Sequence, residues 1–71
     1  MTITGSVVYV TLEGGFFGIR GDDGMNYLPD PELPAEFRKE GTRIRAEAEY
    51  SEGMSVFMWG TMIRISKINK N

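Results

Sequence analysis

The stretch Gly14-Gly15-Phe16-Phe17-Gly18-Ile19-Arg20-Gly21-Asp22-Asp23-Gly24 constrains this chain more than any other part of it. An aromatic and aliphatic run bounded on both sides by glycine suits pleated backbone. Asp22-Asp23-Gly24 ends it in a hairpin turn, because Asp tolerates left-handed backbone and Gly adopts it freely. Strand alternation sends Phe16 and Phe17 to opposite faces. Phe17 is therefore expected to pack an interior, which leaves Phe16 to meet a ligand. Gly18, two residues beyond Phe16, stands where a second outward aromatic would be needed.

The flanking segments supply partners for this strand. Val7-Val8-Tyr9-Val10-Thr11-Leu12 is rich in β-branched residues and predicts a first strand, with Val8, Val10 and Leu12 on one face and Val7, Tyr9 and Thr11 on the other. Glu13-Gly14-Gly15 breaks it with a reversal or bulge. The second strand runs over 16–20 and a short third over 25–28, which makes a meander. Pro29-Asp30-Pro31-Glu32-Leu33-Pro34 is unfit for a central strand, since proline donates no hydrogen bond. Pro34 suits a first helical position and Gly41 the residue past a helix end. The spacing predicts about two helical turns over 35–40, with Leu33 and Phe37 facing the barrel as a plug across one end.

Residues 42–50 alternate cleanly, with Ile44, Ala46, Ala48 and Tyr50 on one face and Arg43, Arg45, Glu47 and Glu49 on the other. Ser51-Glu52-Gly53 reads as a turn, 54–59 as a further strand or the first arm of a bent one, and Gly60 as a kink. The last strand covers 62–68 with Ile63 and Ile65 inward, and Asn69-Lys70-Asn71 is expected to fray. Three strands, a short helix, then two or three strands is the order of an all-β, five-stranded Greek-key barrel of the OB type. An SH3-like barrel is the rival; the place of the helix favours OB.

With 71 residues the chain makes one domain, 1–71. It holds no cysteine and no histidine, so neither a disulfide nor an ordinary zinc site supports so small a core. Apolar runs fall well short of the roughly 18 residues of a membrane span. Met1-Thr2-Ile3-Thr4-Gly5 lacks the basic and apolar regions of a signal peptide, and a cytoplasmic location is expected, although a domain excised from a longer protein would look the same. The net charge of −2 gives no general attraction to phosphate. Its distribution is uneven: every acidic side chain lies at or before Glu52, and Arg64, Lys67 and Lys70 after it are all basic. That end reads either as a solvated face or as a basic strip for an anionic partner.

Without His or Cys the usual nucleophile–base pairs are missing, so no enzyme activity is expected. Asp22-Asp23 and Glu47/Glu49 read as turn chemistry and an exposed strand face; two adjacent carboxylates fall far short of a calcium site. No cofactor and no metal are expected. Binding readings remain. Phe16, Tyr9 and either Tyr27 or Trp59, projecting from a barrel face, would stack on bases, and Arg20, Arg43, Arg45 and Arg64 are candidates for phosphate contacts. Against this, Phe17, Phe37, Phe57 and Trp59 are natural core residues.

Gly5-Ser6-Val7, Gly15-Phe16-Phe17-Gly18-Ile19 and Asp22-Asp23-Gly24 resemble the opening third of cold-shock domains, whose G-F-G-F-I strand stacks two phenylalanines on bases. On that resemblance Phe16 matches the first of them, while the second falls on Gly18. The downstream V-F-V-H motif is replaced by Asn26-Tyr27-Leu28-Pro29. Over nearly its whole length the chain also resembles a group of small uncharacterised archaeal and bacterial OB-like proteins, through Gly-Phe-Phe-Gly-Ile, Leu-Pro-Ala-Glu-Phe-Arg-Lys-Glu-Gly and Met-Trp-Gly-Thr. The expectation is a non-enzymatic binding module for single-stranded nucleic acid. Tyr9, Phe16, Arg20, Tyr27 and Arg64 are its candidate ligand-binding residues. The alternative is a protein-interaction or self-association module, acting through the same face, an exposed sheet edge, or a surface lined by Met54, Met58 and Met62.

Overall fold

The computed structural model describes residues 1–30, 32–51 and 59–71, the side chain of Glu13 excepted. Five strands, β1 (Thr2–Val10), β2 (Phe16–Gly21), β3 (Asn26–Pro29), β4 (Arg43–Tyr50) and β5 (Thr61–Lys70), close into a barrel in the order β1-β2-β3-β5-β4. All neighbours are antiparallel except β3 and β5, which run parallel through Tyr27↔Thr61, Leu28↔Met62 and Pro29↔Ile63. A simple meander would not place β3 beside β5 or return β4 to β1. The architecture is an OB-like Greek-key barrel.

Closure turns on β1, which pairs with β2 on one side and β4 on the other. Gly5 stands opposite Gly21 and Ile44 at once. A Cβ on Gly5 would run into the Arg20 carbonyl, so the bare backbone is what lets β2 approach this closely. Inward residues then alternate along each strand: Ile3 and Val7 on β1, Ile19 on β2, Tyr27 on β3, Ile44, Ala46 and Ala48 on β4, and Ile63 on β5. Val7, Ile19, Leu33, Ile44 and Ile63 are almost fully buried, each stabilising the fold by about 1.5–3 kcal/mol relative to exposure. The small Ala46 and Ala48 leave room for Ile65 and Ile68, which pack against this cluster from β5.

Several sequence expectations change in detail. The first strand stops at Val10 rather than Leu12: Thr11 leaves the β region (φ −90°, ψ 14°), a 3-10 turn forms over Leu12–Gly14, and Leu12 is exposed. The third strand is displaced by one residue and ends on Pro29, after which the Asp30 N–H donates to the Ile63 carbonyl. In place of two helical turns there is one 3-10 turn, Ala35–Phe37, and Pro34 stays extended at ψ 147°. The plug survives this shrinkage, because Leu33 and Phe37 are both in the core. Two anchored side chains close the barrel end, and a helix so short gains little by propagating. Tyr50, expected inward, is 66% exposed because it occupies the last pair of β4, opposite Ile63, at the rim.

The tail does not fray. Asn69 and Lys70 pair with Arg45 and Ile44, and the Asn71 N–H donates to the Arg43 carbonyl at 3.0 Å. A bulge in β5, where Lys67 faces Glu47 but Ile65 faces Ala48, turns Ile68 inward after Ile63 and Ile65. The strand expected over 54–59 lies, but for Trp59, outside the described residues. Trp59 itself is not in a strand.

The β2–β3 hairpin is locked by Asp23. Its Oδ1 accepts the Met25 N–H at 2.9 Å, and its Oδ2 accepts the Tyr27 hydroxyl at 2.7 Å. The Tyr27 bond, joined by the Met25 N–H, holds the Asp23 carboxyl below its ordinary value. The same bond, with burial and the nearby charge adding, pushes the Tyr27 hydroxyl up to about 12.

Two outcomes follow. Gly5→Ala should cost about 1–3 kcal/mol in urea or thermal unfolding through backbone overlap. Gly24→Ala, at φ +87° with open space around it, should cost only the left-handed penalty of about 1–2 kcal/mol. For the hairpin, the lowered Asp23 pKa means stability present above the unfolded carboxylate value and lost as pH falls through the folded one. The raised Tyr27 pKa means stability present below 10.0 and lost as pH rises toward about 12. Ultraviolet titration should show a tyrosinate step near 12 that Tyr27→Phe removes.

Candidate functional site

The outer face of the barrel carries side chains of alternate parity to the core, and cross-strand register arranges them in rows. In one row, Val8 of β1 faces Gly18 of β2, and Leu28 of β3 faces Met62 of β5. Continuing the Ile19↔Tyr27 pairing by one residue brings Gly18 beside Leu28, so the row crosses four strands. Trp59 lies on it. The six-membered ring of its indole occupies the space a Cβ on Gly18 would take. Gly18 is buried as a result, although it faces outward. Leu28 is 6% exposed yet stands outside the interior cluster, as an outward residue covered from above must. Val8 and Met62 are half-buried.

Phe16, two residues before Gly18 and opposite Val10, meets Trp59 edge to face with ring centroids 5.6 Å apart. Such a pair stabilises by about 0.5–1.5 kcal/mol beyond its burial. The second aromatic that alternation denied to position 18 thus comes from elsewhere in the chain. Arg20, two residues past Gly18 on the same face, is exposed and makes no ion pair among the described residues.

That next row is polar. Ser6 of β1 is the register partner of both Arg20 on β2 and Arg43 on β4, and Arg20 in turn faces Asn26 on β3. The Arg43 guanidinium donates to Ser6 Oγ at 3.0 Å and to both Asp22 oxygens at 2.8 and 2.6 Å. This fork holds the Asp22 carboxyl below its ordinary value. Both turn aspartates are therefore engaged inside the fold, Asp22 by Arg43 and Asp23 by Tyr27. Gly60, next to Trp59 in the chain, passes against the backbone of Asn26 in the polar row.

Of the residues singled out by sequence, Phe16 and Arg20 on β2 and Arg64 on β5, two residues past Met62, point outward, whereas Tyr27 and Tyr9 do not. Tyr27 is corrected from platform to core: it is 5% exposed, since its parity on β3 points it inward beside Ile19. Tyr9 is 44% exposed at the barrel rim, but on the inward side of the hairpin, edge to face with Phe17 at 5.1 Å. Strand alternation thus keeps it away from Phe16. Arg64 stands opposite Glu49, and Lys67 opposite Glu47, so two of the three basic residues of the final strand face glutamates of β4, while Lys70 faces Ile44. Sequence reasoning favoured core for Trp59 over a place among the projecting aromatics, and gave Ser6 no role. Trp59 reaches its seat through long-range topology, whereas the Gly18 gap it fills was visible. Met54, Met58 and Phe57 lie outside the described residues.

No family model, no curated protein and no solved structure matches this chain.

Gly18→Ala should unseat the indole. Emission of Trp59, the single tryptophan, is expected to shift to the red in the folded protein, with a stability loss of about 1–3 kcal/mol.

Proposed function

We propose that this protein is a non-enzymatic module that binds single-stranded nucleic acid on the outer face of β2. The observation that carries this reading is the Phe16–Trp59 pair in line with exposed Arg20. Two aromatic side chains on one strand face offer bases a surface to stack on, each stacked base being worth about 1–3 kcal/mol. A guanidinium beyond them meets the phosphate that follows. The face of β2 and β3 is also where OB barrels as a class take up oligonucleotides. With a net charge of −2 and Arg64 and Lys67 matched by glutamates, stacking rather than charge would supply most of the affinity. A cytoplasmic setting is part of the same proposal.

The alternative is association with a protein or a second copy. Among the described residues the closed strand order offers no long open sheet edge for it. Its support is the rim at the β1–β2 turn, where Tyr9 and Leu12 are both exposed.

Titration of Trp59 fluorescence with short oligothymidylate at low salt tests the proposal. Saturable quenching is expected. Phe16→Ala should weaken it about 5- to 150-fold, the equivalent of one lost stacking contact, while the variant remains folded with a stability loss of about 1–3 kcal/mol from the ring pair and its partial burial. No quenching at high micromolar oligonucleotide would sink the reading. Concentration-dependent dimerisation in sedimentation, abolished by Tyr9→Ser, would hand the function to the rim instead.

A further inference from the structure

We propose that the row Arg43–Ser6–Arg20 is a phosphate subsite of this same face, occupied in the free protein by the carboxylate of Asp22. The inference rests on the stacking reading above and deepens it. Ser6 has an arginine as direct register partner on each side, which places three groups able to donate to phosphate within one cross-strand row of neighbours about 5 Å apart. The Asp22 carboxylate already sits in the fork of Arg43, through two bonds of 2.8 and 2.6 Å, in the bidentate manner in which guanidinium holds phosphate. The carboxylate oxygens thus stand where phosphate oxygens would go. Both side chains of this pair are about half exposed, at 44% and 53%, so an incoming anion reaches the fork.

Position fits as well. The polar row is two residues along β1 and β2 from the row that seats Trp59, roughly 7 Å away. A base on the indole therefore has Ser6 and Arg20 within reach of its phosphate, whereas Arg64 and Lys67 of β5 face Glu49 and Glu47 across the register. Arg45 stands one row further, opposite Thr4, and adds positive charge to the same side. Asp22 is held in place by its own backbone, since its N–H donates to the Thr4 carbonyl at 2.8 Å. Its side chain can let go of Arg43 without disturbing the turn. Asp22 then acts as a latch: a ligand phosphate exchanges with it on Arg43 while Arg20 and the Ser6 hydroxyl complete the contact.

The test compares Asp22→Asn with the parent protein, using oligothymidylate and an uncharged methylphosphonate oligomer of the same length, both read by Trp59 fluorescence. Thermal melts confirm that the variant is folded. Asp22→Asn is expected to bind the charged oligomer several-fold more tightly. Its log–log salt slope should steepen by about 0.7, the value for one more phosphate contact on a single strand. The uncharged oligomer should show no gain, and Asp22→Asn/Arg43→Gln should return the charged one to parental affinity. Equal binding by Asp22→Asn and parent, with quenching intact, overturns the subsite and leaves the stacking reading standing. If neither oligomer quenches Trp59, inorganic phosphate is titrated into Asp22→Asn and followed by amide shifts. Shifts centred on Ser6, Arg20 and Arg43 then uphold an anion site without stacking, and their absence overturns both.

Discussion

Everything in this barrel depends on how closely β2 can approach β1 at Gly5. One strand has to serve two neighbours, and it does so where its own residue has no side chain and the residue opposite, Gly21, has none either. From that crossing the parity of every other position follows. Ile3 and Val7 point in; Thr4, Ser6 and Val8 point out. The same parity passes across the register to β2 and β4, so the interior cluster and the outer rows are two readings of one alignment. A slip of one residue would exchange them.

The outer face is where the chain departs from a minimal barrel. A domain of this size has little apolar surface to spare, yet Val8, Phe16, Leu28 and Met62 are placed outside and half or wholly covered there. Trp59 supplies part of that cover, because its indole lies over Gly18, the one outward position in the row without a side chain, and meets Phe16. A second, smaller cluster results, with its polar border drawn by Ser6, Arg20, Asn26 and Arg43. Apolar surface beside donors of fixed geometry is the composition of a recognition surface, and it arises here from ordinary strand alternation plus one glycine.

Much of the architecture was legible because the signals were local. The Asp-Asp-Gly turn, the alternation from Ile44 to Ala48 and the pairing of Leu33 with Phe37 each depend on a few neighbouring residues, and each appears in the fold. Misreadings came where a distant contact decides. Tyr27 looks like a platform residue until Ile19 fixes its parity, and Trp59 reads more readily as core than as platform until Gly18 receives it. The tail from Asn69 to Asn71 has the composition of a loose end, but β4 starts at Arg43 and gives it a partner. The bulge in β5 leaves a trace in the sequence, the spacing of Ile63, Ile65 and Ile68, though only the inward place of Ile68 shows what the irregular step is for. Of the candidate site, Phe16 and Arg20 were readable from β2 alone. Ser6 and Arg43 were not readable as its neighbours, because they belong to strands 37 residues apart.

β3 has a consequence beyond its place in the strand order. It is the shortest of the five described strands, held by two register pairs to β2 and three to β5, which makes it the stave among them with the fewest register pairs. It also sends Tyr27 into the interior and Leu28 into the outer row. Local opening of a protein runs through its least-bonded segments, so when β3 loosens, both clusters loosen together. Anything that settles on the outer row and holds Leu28 in place slows that opening and tightens the interior by the same motion. Occupancy outside and rigidity inside are, through one four-residue strand, a single equilibrium.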